Sequence, residues 1–246
     1  MTRKIEIYPL NRVEGDLEIT IELEDDVVIN AHSAGTMYRG FENFMVGRSP
    51  LDGLVITPRI CGICSTAHSY AAASALDMLF NVDVPRHAAW IRSVTAMVEM
   101  LQSDFRHAFL LFMPDFTDAA YQKEPLYASM VKRYAPLEGS SVRQTIDETR
   151  RILEIISILG GQWPHSSFMV PGGVVSMPSN NELKRCTYLL NNFKQWYERQ
   201  VLGCSLERWH AVKTKADLFS WLKGLCTNRK RTIDRYSTAG LTPYSC

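Results

Sequence analysis

Long apolar runs are absent from this chain of 246 residues, and their absence excludes one class of protein. A membrane-spanning helix takes about 18 or more predominantly apolar residues, and no stretch of the sequence approaches that length. Residues 1–25 are rich in charge and lack the apolar segment of a Sec-type signal. We therefore predict a chain with no transmembrane segment and a cytoplasmic location, with membrane attachment through a partner left open.

A strong charge of either sign is also lacking, because the formal net charge is +1 at pH 7. Nothing in this balance favours nucleic acid or an anionic membrane as a partner. With 46% hydrophobic and 22% charged residues, the chain can bury a sizeable core. We predict one domain over residues 1–223, followed by an irregular basic tail at 224–246 that is non-native or disordered.

Hydrophobic periodicity divides the domain into a β region at 1–40 and a helical region at 62–223. Apolar and polar residues alternate over 17–24, which predicts a strand with one buried face. Segments 4–10 and 27–34 are expected to pair with it. The predicted fold class is therefore α+β and predominantly helical, with an N-terminal antiparallel β region followed by a bundle of long helices.

The longest helix is expected over residues 85–113, ended by Pro114. Its apolar residues recur at spacings of three and four, which predicts a single buried stripe. The stripe comprises Ile91, Val94, Val98, Leu101, Phe105, Ala108 and Phe112. Further helices are expected to begin at two capping-box pairs, Ser141 with Gln144 and Ser179 with Glu182.

The most informative chemical signal is a cysteine pair at Cys61 and Cys64, with His68 four positions later. Two thiolates at this spacing can bind one soft transition metal from a turn that opens into a helix. A thioredoxin-like redox pair has the same spacing but belongs in a βαβ setting. A structural zinc site needs four ligands, and the sequence holds neither a second Cys-x-x-Cys nor a close histidine pair. Spacing alone leaves a metal site, a redox pair and incidental cysteines open.

The flanking sequence favours the metal site, because five segments resemble the large subunit of nickel-iron hydrogenases, in the same order. The cysteine segment has the form Arg-x-Cys-Gly-x-Cys-x-x-x-His, and each of the other four agrees with a short family segment. The five are Asn11–Asp16, Met37–Glu42, Arg59–His68, Phe112–Phe116 and Trp163–His165 with Val170–Val174. Each match is weak singly, but five in order are specific.

One family motif has no counterpart in this sequence. In the family, Asp-Pro-Cys-x-x-Cys-x-x-His lies near the C-terminus of a longer chain and supplies the other two cysteines of the metal centre. The present sequence reaches Cys246 without it. The resemblance therefore predicts the N-terminal half of a hydrogenase large subunit, incomplete and inactive alone.

The resemblance implies an uptake hydrogenase that oxidises dihydrogen to protons and electrons at a nickel-iron centre, with carbon monoxide and cyanide on the iron. By position, Cys61 would be a terminal nickel ligand and Cys64 would bridge the two metals. His68 would donate a hydrogen bond to the Cys64 sulfur. Glu14 resembles the glutamate that relays protons, and Glu42 resembles the ligand of a secondary magnesium or iron ion. Both metal sites would need the missing C-terminal half.

The partners that the resemblance implies are an iron-sulfur small subunit, the remainder of the large subunit and metal-centre maturation proteins. Nucleic acid is not among them. The alternative is a non-catalytic protein, either a truncated relic or a scaffold that binds the small subunit without chemistry.

Overall fold

The computed structural model describes residues 2–10, 12–13 and 15–224. The chain divides into two compact units, with the boundary between Leu189 and Leu190. The tail predicted at 224–246 lies outside the described residues except for Gly224, which is helical, and the single domain over 1–223 stays a prediction. Among the described residues, no helix combines the length and the apolar character that crossing a bilayer takes.

The first unit begins with a three-stranded antiparallel sheet in the order β1-β2-β3, as the alternating pattern predicts. Its strands are β1 (Thr2–Ile7), β2 (Leu17–Glu24) and β3 (Val27–Gly35). The predicted buried face is wrong, because β3 is exposed along its whole length and β2 is half-buried on both faces. Alternation decides which side chains share a face of a strand, but it does not decide whether another layer covers that face.

Helices make up most of the remaining structure, so the predicted α+β, mainly helical class is confirmed. Those of the first unit are α1 (Phe41–Met45), α2 (Gly53–Ile56), α3 (Ser65–Phe80), α4 (Arg86–Arg106), α5 (Tyr127–Tyr134) and α6 (Ser140–Gly160). A short hairpin of β4 (Met169–Val170) and β5 (Gly173–Val174) follows α6. Helix α7 (Asn180–Trp196) begins in this unit, and α8 (Leu206–His210) and a helical segment at 215–224 belong to the second.

The core of the first unit lies where α4 packs against α6 and α3. Ile152, Ile155 and Ile156 of α6 are almost completely buried, as is Met169 of β4. Burying side chains of this size stabilises the fold by about 1.5–3 kcal/mol each. The packing of α3 against α4 matters most for the site, because α3 follows directly after the cysteines.

The buried face of α4 differs from the predicted stripe. Of the seven residues in that stripe, only Ile91 and Val98 are buried, whereas Val94 is 38% exposed and Phe112 50% exposed. The other buried positions of α4 are mainly polar, namely Arg92, Thr95, Glu99 and Gln102. The regular helix also ends earlier than predicted, at Arg106, and a π-helical turn occupies His107–Phe112.

The two capping-box pairs have different outcomes. Ser179 and Glu182 form the predicted reciprocal box: the Glu182 N–H donates to Ser179 Oγ at 3.3 Å, and the Ser179 N–H donates to Glu182 Oε2 at 2.6 Å. Helix α6 begins one residue before Ser141, and its N-cap residue Gly139 makes no side-chain cap. Ser141 Oγ instead accepts a hydrogen bond from Arg133 Nε at 3.1 Å.

A buried ion pair joins α3, α4 and the β4–β5 hairpin. Arg92 Nη1 lies 2.6 Å from Asp77 Oδ2, and the two side chains are only 3% and 12% exposed. Arg92 Nη2 also donates to the carbonyls of Val170 and Gly173, and the Gly172 N–H donates to Asp77 Oδ1 at 2.7 Å. The hydrogen bond from Arg92 lowers the pKa of Asp77. With its partners satisfied, this pair fixes how α3 lies against α4.

We expect Asp77→Asn to destabilise the fold by about 3 kcal/mol at pH 7, because it leaves the buried Arg92 charge without its partner. Because the folded pKa of Asp77 is lowered, the pair contributes its full stabilisation to the fold at pH values above the pKa of an unfolded aspartate, about 3.9. It is lost as the pH falls through the lower folded pKa. We would measure the free energy of unfolding of variant and parent in urea at pH 7, 5 and 3. The difference between the two free energies should be the same at pH 7 and 5 and smaller at pH 3.

The matched control is Glu154→Gln, which breaks the half-exposed pair between Glu154 and Arg185. A solvent-exposed pair contributes less than about 1 kcal/mol. Equal losses of stability in the Asp77 and Glu154 variants would contradict the structural role given to the buried pair.

Candidate metal centre

The two cysteines lie in a tight loop, residues 61–64, which we call the cysteine loop. A 3₁₀ turn at Thr57–Arg59 precedes it, and α3 follows with Cys64 as its N-cap residue. The Cys64 N–H donates to Cys61 Sγ at 3.3 Å, so the loop folds back and brings both cysteines to the start of the helix. The structure therefore brings together the two thiols that the spacing predicts as ligands.

The metal-free thiol at position 64 is held in its protonated form. Burial raises the pKa of Cys64 to about 12, and the neighbouring Cys61 thiol and the charge of Glu99 add to the effect. The thiolate is the form that binds metal. A soft cation at this position would offset the cost of that negative charge, so metal binding and loss of the proton are coupled.

Arg39 connects the cysteine loop to the segment that precedes α1. Its guanidinium donates to the carbonyl of Ile60, the residue just before Cys61, and lies over the ring of Phe41. Arg59 instead donates to the Val55 carbonyl within its own turn. Two of the motif segments, far apart in sequence, thus meet at the cysteine loop.

Residues that follow α6 pack against the other side of the loop. The His165 N–H donates to Ser65 Oγ at 3.2 Å, and His165 Nδ1 lies 2.8 Å from the Pro58 carbonyl oxygen. Because a carbonyl only accepts, Nδ1 carries a proton, and Nε2 is the ring nitrogen that takes no part in this hydrogen bond. A Cβ placed on Gly62 would lie 3.9 Å from that Nε2, so the ring lies against the cysteine loop.

Glu99 of α4 is the residue that sequence reasoning missed. Its side chain is buried, with 3% exposure. Its two carboxylate oxygens accept from the N–H groups of Thr66 and Ala67, both at 2.8 Å, and Oε1 also accepts from Trp163 Nε1 at 3.2 Å. Helical spacing in the sequence could have revealed Glu99. Arg92, Thr95 and Glu99 are separated by three and four residues and so share one face of α4.

His68 lies in the first turns of α3, one turn after Cys64. Its N–H donates to the Cys64 carbonyl at 3.3 Å, and its own carbonyl accepts from Thr57 Oγ1 at 3.4 Å. In the described structure its ring makes no hydrogen bond with the Cys64 sulfur. The predicted hydrogen bond to that sulfur therefore stays a prediction.

Of the two predicted carboxylates, only Glu42 lies among the described residues. Glu42 lies exposed in the first turn of α1. Glu14 falls outside the described residues. Across residues 2–10, 12–13 and 15–224, no group of three or more histidine, cysteine or acidic side chains is close enough to hold a metal ion. Cys61 and Cys64 therefore offer a soft metal a pair of thiol ligands, and Glu42 belongs to no described group of three or more such side chains.

The segment that leads to Glu14 is anchored through Arg12 to residues 111–115, which follow α4. Its guanidinium pairs with Asp115 at 2.6 Å, donates to the Leu111 carbonyl at 2.6 Å and lies over the Phe112 ring. His107 Nε2 lies 2.9 Å from the Arg12 carbonyl oxygen. This set of contacts joins the first motif segment to the fourth.

The family described as nickel-dependent hydrogenase matches residues 39–145 of the chain, which include the cysteine loop and Glu99. The periplasmic NiFeSe hydrogenase large subunit of Desulfomicrobium baculatum is 35% identical over 199 residues, which are 73% of this chain and 38% of that protein. The hydrogenase-2 large chain of Escherichia coli is 31% identical over 180 residues, or 70% of this chain and 32% of that one.

Solved structures agree with these sequence relatives. The reduced Ni-Fe-Se hydrogenase from D. vulgaris Hildenborough superposes with a TM-score of 0.65 at 29% identity, covering 82% of this chain and 44% of that chain. The matched residues thus span 32% to 44% of the length of these relatives.

We expect Cys64 in the folded, metal-free chain to react with iodoacetamide at least about tenfold more slowly at pH 8 than in the unfolded chain. The reason is that the folded pKa of about 12 leaves little thiolate, whereas an unfolded cysteine has a pKa near 8.5. Peptide mass mapping with and without urea would measure each cysteine separately. Rapid alkylation of folded Cys64 at pH 8 would contradict the protonated state.

Proposed function

The chain belongs to the nickel-dependent hydrogenase family as a region of the large subunit, and on this premise we propose that it forms the N-terminal part of the catalytic subunit of an uptake hydrogenase. The observation that carries the proposal is the pair of thiols that the cysteine loop brings together at the start of α3. Soft sulfur donors at this spacing suit nickel better than oxygen donors would. When bound, a nickel-iron centre supplies heterolytic cleavage of dihydrogen.

Cys61 and Cys64 have the role of ligands in this proposal, Cys61 as a terminal thiolate on nickel and Cys64 as the thiolate shared with iron. Two thiolates are half of the ligand set, and the other two would come from the remainder of the large subunit. Carbon monoxide and cyanide on the iron, and the maturation proteins that install them, belong to the same proposal. The chain is expected to be inactive without these parts.

The protein's own residues would prepare the ligands and move protons. The His68 ring, one turn after Cys64, would donate a hydrogen bond to the ligand sulfur and so adjust its electron density. Glu14 would accept the proton released near the centre. The anchoring of Arg12 to Asp115 and Leu111 supports this role, because it joins the segment before Glu14 to the turns that follow α4.

A secondary magnesium or iron ion at Glu42 is a further proposal, since a carboxylate suits a hard cation. Its remaining ligands would also come from outside the described residues. The electron acceptor would be an iron-sulfur small subunit, as the similarity to hydrogenase large subunits implies. A cytoplasmic location stays a prediction, and the D. baculatum relative is named as periplasmic.

We expect the chain to bind nickel and to oxidise hydrogen when it is assembled with the remainder of a large subunit and a small subunit. Cys61→Ser or Cys64→Ser should abolish both, because a hydroxyl stays protonated where a thiol ionises. Cys186→Ser is the matched control, since Cys186 is a half-buried cysteine of α7 outside the cysteine loop. Nickel analysis and hydrogen-dependent dye reduction are the measurements. Nickel retained in full by both loop variants would contradict their ligand role, and a parent complex that assembles without nickel would favour the non-catalytic scaffold instead.

Glu14→Gln should give a different result in the same assembled complex. We expect its nickel content to equal that of the parent while hydrogen oxidation falls by a factor of about 100 or more, since an amide cannot relay a proton. Isotope exchange between dihydrogen and water would report the same proton step. Normal turnover in this variant would remove Glu14 from the proton path.

A further inference from the structure

The start of α3 is capped in an unusual way. The residue at the N-cap is Cys64, and its carbonyl accepts the first hydrogen bond of the helix, from the His68 N–H. An N-cap side chain ordinarily accepts from the N–H of the second or third helical residue. These residues are Thr66 and Ala67, and the Cys64 side chain makes no bond to either.

Glu99 occupies both of these N–H groups instead. Each of its carboxylate oxygens accepts one of them at 2.8 Å, from a residue more than thirty positions away in sequence. The Trp163 indole N–H holds one of the same oxygens at 3.2 Å. No ion pair to Glu99 is found in the described part of the chain, so three N–H donors and the positive end of the α3 dipole stabilise its buried charge.

We infer that Glu99 is a positioning residue that caps α3 in place of Cys64 and thereby leaves the Cys64 sulfur free to bind a metal. A serine or aspartate at position 64 would satisfy the helix locally, but its side chain would then be turned toward the helix N–H groups. With the cap supplied from α4, the side chain at position 64 can be a thiol that points elsewhere. This inference rests on the proposed ligand role of Cys64.

The inference predicts energetic coupling between positions 64 and 99, which urea unfolding of the metal-free chain can measure. Cys64→Ser should have little effect in the parent, because Glu99 already occupies the N–H groups that serine would cap. In the Glu99→Ala background the same change should raise the unfolding midpoint by roughly 0.3 M urea, because serine then supplies the missing cap. An equal effect of Cys64→Ser in both backgrounds would overturn the inference.

A second readout is the position of the Cys64 sulfur. If Glu99 only stabilised the fold, substituting it would not move this sulfur. Dibromobimane becomes fluorescent when it joins two neighbouring thiols, so it reports whether Cys61 and Cys64 face a common site. The yield is taken as the fraction of bimane-labelled chains in which the two thiols are joined, measured when labelling is complete, so that it does not depend on how readily Cys64 ionises. We expect at least a threefold lower yield in Glu99→Ala, since the freed N–H groups draw the Cys64 sulfur toward the helix. An unchanged yield would overturn the inference.

Two further variants complete the experiment. Gln102→Ala truncates an equally buried side chain on α4 whose polar atoms have no hydrogen-bond partner in the described structure, and it should leave the bimane yield at the parent value. Glu99→Gln keeps the shape of the side chain and loses one acceptor oxygen. It should change the yield in the same direction as Glu99→Ala, and it stands in for that variant if alanine prevents folding.

The result is separable from the proposed function. Coupling and bimane yield are measured without nickel, so a chain that never assembles a metal centre could still show them. In that case the capping role would stand and the hydrogenase role would fail. If the assembled complex takes up nickel but positions 64 and 99 show no coupling, the hydrogenase role would stand and the capping role would fail.

Discussion

The start of α3 depends on one buried carboxylate. Glu99 brings a negative charge to a helix N-terminus in a region that excludes water, which would be costly if its oxygens were not fully used. Three N–H donors use them, two from α3 and one from Trp163. The position of the cysteine loop follows from this interaction, because Cys64 is the residue at which α3 begins. Movement of α4 relative to α3 would therefore move the thiol.

The same face of α4 carries the second fixed point. Arg92 pairs with Asp77 and with two carbonyls of the β4–β5 hairpin, so α3 is held to α4 near both of its ends. Between these points Thr95 turns its hydroxyl back to its own helix, bonding the Ile91 and Arg92 carbonyls. Arg92, Thr95 and Glu99 thus have the hydrogen-bond partners that buried polar groups ordinarily require, whereas Gln102 on the same face has none in the described structure. Through Arg92 and Glu99, the polar residues of this face hold α3 in place.

The sequence was sufficient to predict the main strands and helices but not the contacts between them. Alternation predicted the three strands and their pairing, and the capping box at Ser179 predicted where α7 begins. The periodicity of α4 predicted its existence and the burial of Ile91 and Val98, but it missed the polar part of the buried face, because apolar spacing assumes that polar residues point to solvent. Arg92 and Glu99 break that assumption through partners at Asp77, Thr66 and Trp163. None of these partners is visible in a local pattern.

For the candidate site, spacing identified the thiol pair, and the motif order identified its family, but the surrounding residues came only from the fold. Glu99 reaches the cysteine loop from another helix, and His165 reaches it from the segment after α6. The central claim is that Cys61 and Cys64 are ligands of one nickel ion. It is tested most directly by nickel-edge X-ray absorption of the assembled complex with Cys64→selenocysteine. A nickel–selenium shell is the predicted result, and a spectrum with sulfur and no selenium around nickel would contradict the claim.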